Sequence, residues 1–216
     1  MEVTLLACRI LLVRHGRTGW NASFRYQGRT DVPCDEEGMK QVELTVRRIV
    51  RWEPTGIYSS PLVRARCLGE ALAEAGLSDL RVDPRLTELD FGRWEGLTVR
   101  EIEERYGEEY RLWRQDPFGR TPPGGEDLAS ITGRLEDFVE SSGILGEERA
   151  VLVSHGYALR VLMGVLLKVR DLKVFWHLRV DNCSISAVDV YGDFRMLCFT
   201  NDRHHLMGYP DSPLGE

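Results

Sequence analysis

Four basic side chains, Arg14, His15, Arg64 and His155, each stand just beyond a short apolar run. The runs read I-L-L-V-R-H-G over residues 10–16 and V-L-V-S-H-G over 151–156, with a looser version, I-Y-S-S-P, at 57–61 that then reaches Arg64. If each run is a buried strand, the four groups meet at one rim, where ligands sit in open α/β sheets, outside the carboxyl ends of the strands. Guanidinium forks and imidazoles gathered there suit a dianion, and phosphate is the natural candidate. A single His-Gly step is a weak signal, because a lone histidine at a strand end is ordinarily structural. Together with a candidate acid at Glu88, the separated runs point to catalysis.

The elements that must carry these groups follow from periodicity. Residues 3–13, with Val3, Leu5, Leu6 and the continuous Ile10 to Val13 run, predict a strand buried on both faces, entered at Arg9. Residues 16–35 read as an ordered loop over the rim. Asp35 is a helix N-cap with Glu36 and Glu37 in the first turn, and Val42, Val46, Ile49 and Val50 keep one face apolar until Pro54-Thr55-Gly56. A second parallel strand is expected at 57–59, a helix from Pro61 to Ala75 capped by Gly76, and a third strand at 80–82.

Residues 87–96, T-E-L-D-F-G-R-W-E-G, form a specific loop. Two short helices at 98–106 and 108–114 should follow, before Asp116-Pro117 and Thr121 to Gly125 break the pattern. The segment 88–125 thus reads as an insertion lying across the rim. An amphipathic helix is expected at 126–140, a core strand at 151–153, and its helix at 157–167. An antiparallel hairpin at 184–190 and 195–200 turns through Tyr191-Gly192-Asp193-Phe194, and the tail after Leu206 reads as peripheral.

The chain has 216 residues, 43% hydrophobic and 29% charged, with a formal net charge of −6. No repeat or linker divides it, so a single domain over 1–216 is expected. The acidic balance argues against nucleic acid as the main partner. No apolar run approaches the ~18 residues of a membrane span, and Met1-Glu2 opens without a basic leader, so a cytoplasmic chain without membrane partners is expected. The five cysteines, Cys8, Cys34, Cys67, Cys183 and Cys198, form no CxxC pair and read as buried or partly buried thiols in a reducing compartment. No phosphocysteine phosphatase loop is expected. GxxxxGK[ST], HExxH and DxD patterns are absent, and His204-His205 reads as a polar cap rather than a metal site.

Arg14-His15-Gly16, Ser59-Ser60-Pro61-Leu62 with Arg64-Ala65, the block from Glu88 to Gly96, and Ser154-His155-Gly156 resemble, in kind and order, the histidine phosphatase superfamily. The resemblance is to the branch related to cofactor-dependent phosphoglycerate mutases and spans roughly residues 8–205. It implies a three-layer α/β/α sandwich with a mostly parallel central sheet. It also implies that His15 is the nucleophile and forms a phosphohistidine, its other ring nitrogen donating to a carbonyl within 16–21. Arg14 and Arg64 would hold phosphoryl oxygens, and His155, from the opposite strand, would donate another hydrogen bond. Glu88 would act as acid and then base, with Asp90 and Glu95 as rivals.

Asn21 resembles the family's additional phosphate ligand, with an Asx turn as the bland alternative, and Gly156 its turn glycine. Trp20, Phe24, Tyr26 and Trp94 are candidates for lining an organic pocket or for packing the loop. Tyr26-Gln27-Gly28, with Gln27 and Gly28 counted among the substrate contacts, departs from the Thr/Ser-Gly-Trp pattern of the mutases. Only Arg111, Arg114 and Arg120 remain of their arginine-rich segment. The expectation is therefore hydrolysis of a phosphorylated sugar, glycerate derivative or ribazole-like nucleoside, without metal or cofactor, in a possible homodimer. The alternatives are a cofactor-dependent mutase and a non-enzymatic module that binds phosphorylated metabolites.

Overall fold

The computed structural model describes residues 8–207. The expectations for Val3, Leu5, Leu6 and the tail with Pro210, Pro213 and Gly215 fall outside them. Strands β1 (Cys8–Arg14), β2 (Gly56–Ser59), β3 (Leu80–Val82), β4 (Arg149–Ser154), β5 (Ile185–Tyr191) and β6 (Phe194–Asp202) form one sheet in the order β3-β2-β4-β1-β5-β6. The pairs from β3 through β1 are parallel, and β5 joins β1 antiparallel before turning into β6.

Alternation along β1 explains the layers. Ile10 and Leu12 face one core with Tyr58 and Leu152, covered by helices α4 (Val99–Gln115), α5 (Leu128–Ser141) and α6 (Gly156–Leu166). Leu11 and Val13 face the other with Ile57 and Val153, covered by α2 (Glu36–Val50) and α3 (Val63–Glu74). The result is the expected three-layer, mostly parallel α/β/α sandwich. Both faces of β1 are buried, so its register is strongly specified, because a one-residue slip would exchange the two faces. In the observed register Arg14 pairs with Ser154, which brings the following residues, His15 and His155, to the same level.

Several boundaries differ from the sequence expectation. Residues 16–35 contain a short helix, α1 (Gly19–Ala22), closed by a capping box between Thr18 and Asn21. Pro61 precedes α3 rather than entering it, since Leu62 is the cap. The two helices expected at 98–106 and 108–114 are the two limbs of α4, which run on from one another across a kink at Tyr106, where the backbone leaves helical geometry (φ −134°, ψ 30°). Helix α5 starts two residues late because Asp127 caps it, its side chain accepting from Ser130 N. Asp35 caps α2 as expected, accepting from Gly38 N at 2.7 Å. A Cβ on Gly38 would stand 1.9 Å from Arg17 O, so only glycine lets this helix abut the loop that follows His15. Cys198 is exposed, contrary to expectation, because β6 is an edge strand with its outer face open.

Candidate active site

The rim holds Arg14, His15, Arg64, Glu88 and Gly156, which line one cleft. His15 continues the β1 ladder, its N–H donating to Ser154 O at 3.0 Å. Its Nδ1 lies 2.7 Å from Gly16 O. A carbonyl only accepts, so Nδ1 carries the proton and the neutral ring keeps its lone pair on Nε2. Burial pushes His15 well below its ordinary value of about 6.5, and Arg64 and Arg14 push the same way, opposed by the Gly16 bond. The ring is therefore neutral, and nucleophilic, at neutral pH.

His155 comes from β4, the immediate neighbour of β1 rather than an opposite strand. Its ring lies 5.2 Å from that of His15, and its Nε2 is 2.8 Å from Ser60 Oγ. Burial and then Arg64 lower it as well. His155 is not among the residues lining the cleft, and its ring packs beside that of His15. Its Nδ1 and Arg64 Nε are buried without a protein hydrogen-bond partner, an uncommon condition that an incoming anion would relieve.

Arg64 is fully buried at the N-terminus of α3. Its Nη1 donates to Thr30 O at 2.8 Å and its Nη2 to Gly28 O at 2.7 Å, and burial lowers it to about 10, so it stays charged at neutral pH. The loop that supplies those carbonyls is held by Glu95, which accepts from Arg29 N, Thr30 N, Thr30 Oγ1 and Phe91 N. Gly28 is obligatory there: its φ is +54°, and a Cβ would stand 1.9 Å from Glu95 Oε1. Arg14 is oriented by donation to Val180 O at 2.8 Å.

Glu88 is the acid the fold delivers to the cleft. Leu89 N and Ala158 N donate to its Oε1, both at 2.9 Å, and Tyr157 N donates to its Oε2 at 3.1 Å, at the N-terminus of α6. Neither rival lines the cleft. Glu95 braces the loop, and Asp90 accepts from Gly92 N and faces Arg29 at 3.9 Å. Gly156 lines the cleft without tight packing, since a Cβ would meet Arg14 only at 3.5 Å. Asn21 is not among the lining residues. Its Oδ1 accepts from Thr18 N, Thr18 Oγ1 and Asn182 Nδ2, the capping arrangement of the bland alternative. Gln27 lines the cleft and accepts from Thr18 Oγ1 at 2.9 Å.

Of the aromatic candidates only Tyr26 reaches the cleft. Trp94 is buried beneath it, Phe24 is half exposed, and Trp20 packs on Gly96. Phe91, Trp113, Tyr157 and Trp176 take that role with Arg25 and Arg160, and the sequence reading missed all six. It also missed a buttress behind His15: Cys183 N donates to Arg14 O and His15 O, and Asn182 Nδ2 to His15 O, all at 3.1 Å. Cys183 adopts φ +53°, and Asn182 and Cys183 carry no periodic signal that would have revealed them. Arg134 on α5 is another: it donates to Arg85 O, Thr87 O and Glu88 O while pairing with Glu126 at 2.8 Å, which pins the acid loop.

Cys8 does stand six residues before Arg14, the spacing of a phosphocysteine loop, but the span is extended strand, so the thiol lies at the far end of β1. Burial pushes it up to about 12. Among the described residues no group of three or more His, Cys, Asp or Glu side chains could hold a metal ion, and no helix is long and apolar enough to cross a membrane. His205 contacts Thr45 Oγ1 at 3.1 Å.

The histidine phosphatase superfamily (branch 1) matches residues 10–203. "Phosphoserine phosphatase 1" of Hydrogenobacter thermophilus is 36% identical over 92% of this chain and 94% of its own length. "Probable phosphoglycerate mutase GpmB" of Proteus mirabilis is 37% identical over 84% of each. The crystal structure of the alpha-ribazole phosphatase from Shigella flexneri superposes with a TM-score of 0.82 at 27% identity, covering 90% of this chain and 96% of that one.

Proposed function

The chain belongs to the histidine phosphatase superfamily, and on that premise we propose that it hydrolyses phosphate monoesters of small metabolites through a phosphohistidine at His15. The observation that carries the reading is the bond from Nδ1 to Gly16 O, which leaves the Nε2 lone pair for attack. In the first step Nε2 bonds to phosphorus, the ester P–O bond breaks, and Glu88 gives its proton to the leaving oxygen. In the second, water attacks phosphorus, Glu88 takes the proton, and the P–N bond breaks to free inorganic phosphate and the imidazole. Arg14, Arg64 and His155 stabilise the equatorial oxygens in both.

Relatives named as phosphatases support hydrolysis, while the relative named as a mutase keeps phosphoryl shuttling as the second reading. The cleft favours hydrolysis. None of Arg111, Arg114 and Arg120 lines it; its cations are Arg14 and Arg64 beside His15, with Arg160 and with Arg25, which is paired to Glu101.

A panel of phosphorylated metabolites, assayed in the same reactions for inorganic phosphate and for phosphoglycerate isomers, tests the reading. Phosphate release that persists with EDTA and without bisphosphoglycerate is expected. His15→Ala should lower turnover by about a thousandfold or more and remove the acid-labile phosphoenzyme seen by rapid quenching. Isomer formation outrunning phosphate release for every substrate would establish the mutase. Binding without turnover of any ester would establish a binding module.

A further inference from the structure

We propose that the half of the cleft away from His15 receives a flat, apolar alcohol portion, so that esters whose alcohol carries a ring are preferred over small polyol phosphates. The inference rests on the phosphatase reading above and deepens it.

Five rings, those of Tyr26, Phe91, Trp113, Tyr157 and Trp176, line the same cleft as His15 and Glu88. They form a lattice of edge-to-face and tilted contacts: Tyr26 to Phe91 at 4.9 Å, Phe91 to Tyr157 at 6.3 Å, Trp113 to Trp176 at 5.5 Å and Tyr157 to Trp176 at 6.1 Å between centroids. Trp94 and Tyr110 pack behind them. The wall is therefore the open side of a larger cluster that is ordered by folding, and little rotamer freedom remains to be lost on binding.

The hydroxyls and guanidinium groups of this half are committed to protein, and the buried Trp113 Nε1 is a polar atom there without a protein partner. Tyr26 Oη meets Tyr110 Oη at 3.1 Å, and Tyr157 Oη donates to Pro117 O at 2.8 Å. Arg25 is paired with Glu101 at 2.9 Å and donates to Gly96 O at 2.6 Å. Arg160 donates to Leu178 O at 2.8 Å and lays its guanidinium over Trp176, 5.3 Å from the ring centroid. What the wall offers a ligand is chiefly ring carbon. A glycerol-sized alcohol would give up hydration there for few replacements, whereas a ring would gain edge-to-face partners.

The two halves are joined at Glu88. Phe91 lies three residues beyond it, and the Tyr157 amide holds its Oε2. An alcohol seated among the rings thus presents its ester oxygen at the acid.

Benzyl phosphate and glycerol 3-phosphate provide the test, because both leave as alkoxides on aliphatic carbon and differ mainly in the attached body. Benzyl phosphate should show kcat/KM at least about tenfold higher, and Trp176→Ala, at a half-buried position, should shrink that ratio chiefly through KM. Phenylphosphonate should quench the protein's tryptophan fluorescence at concentrations about tenfold lower than methylphosphonate. Equal or reversed preference in both arms would overturn the inference while leaving phosphatase activity standing. If no ester is hydrolysed the phosphatase reading fails, and the phosphonate arm still decides whether the wall selects rings.

Discussion

The imidazoles of His15 and His155 face each other with centroids 5.2 Å apart and planes inclined by 54°, and burial beside Arg14 and Arg64 keeps both neutral. In the unfolded chain each takes up a proton near its ordinary pKa of about 6.5, while the folded protein resists until well below it. Below that pH the unfolded state binds more protons, so stability falls as pH falls. Urea titrations between pH 8 and 5 should show no contribution from the pair at the upper end. Toward pH 5 the loss should approach about 1.4 kcal/mol per pH unit for each histidine. Inorganic phosphate, an anion at the same cluster, should reduce it. A His15→Asn/His155→Asn variant with the same slope as the parent would contradict the assignment.

Glu88 accepts only from donors, three backbone N–H groups. Glu88→Gln replaces one carboxylate oxygen by an NH2 that cannot accept, so a loss of about 1–3 kcal/mol is expected in chemical denaturation. Turnover of alkyl esters, which need a proton on the leaving oxygen, should fall by roughly 10²–10⁴. Nitrophenyl phosphate, whose leaving group needs no acid, should lose far less. Equal losses for both esters would remove Glu88 from the acid's role.

Arg134 ties α5 to the carbonyls of Arg85, Thr87 and Glu88 and to Glu126. Arg134→Met keeps the stem but leaves those carbonyls without their donor and Glu126 with Arg29 as its remaining ion-pair partner. A destabilisation of about 3–5 kcal/mol is expected, with kcat falling more than KM rises because Glu88 loses its placement. Unchanged kcat in a destabilised variant would limit Arg134 to the fold.

Thiol chemistry should discriminate sharply. Cys198 is exposed and should be alkylated first by iodoacetamide in native conditions. Cys67, whose thiol is lowered by a hydrogen bond from Cys34 3.8 Å away, should follow. Cys8 and Cys183, each pushed up to about 12 by burial, should react only on unfolding. Peptide mapping after timed quenching gives the order, and early labelling of Cys183 would mean that the loop behind His15 opens readily.

What the sequence made legible was whatever its local pattern encodes. Apolar runs ending in Arg14-His15 and Ser154-His155 name strands and their chemical ends together, because a buried parallel strand is continuous in hydrophobicity. Local pattern does not separate Glu88 from Asp90 and Glu95, since each is an acid in one loop; the family resemblance favours Glu88, and it alone of the three lines the cleft. Trp113 and Trp176 reach the cleft from elements far apart in sequence, and nothing in their neighbours distinguishes a wall from a core. The two-residue error at the start of α5 had a visible signal, Asp127 three residues before Ser130, whose amide it caps.

β1 occupies the middle of the sheet, yet among the described strands it is the first to leave the ribosome, and both its hydrogen-bonding neighbours, β4 and β5, come from the last third of the chain. At typical elongation rates it waits on the order of ten seconds for β4, carrying an apolar segment with two unpaired edges. A nascent chain halted before Arg149 already contains His15, Arg64 and Glu88 but has nothing to align them. The cleft is therefore assembled late, and in the interval the segment that ends in His15 is the one most in need of a chaperone.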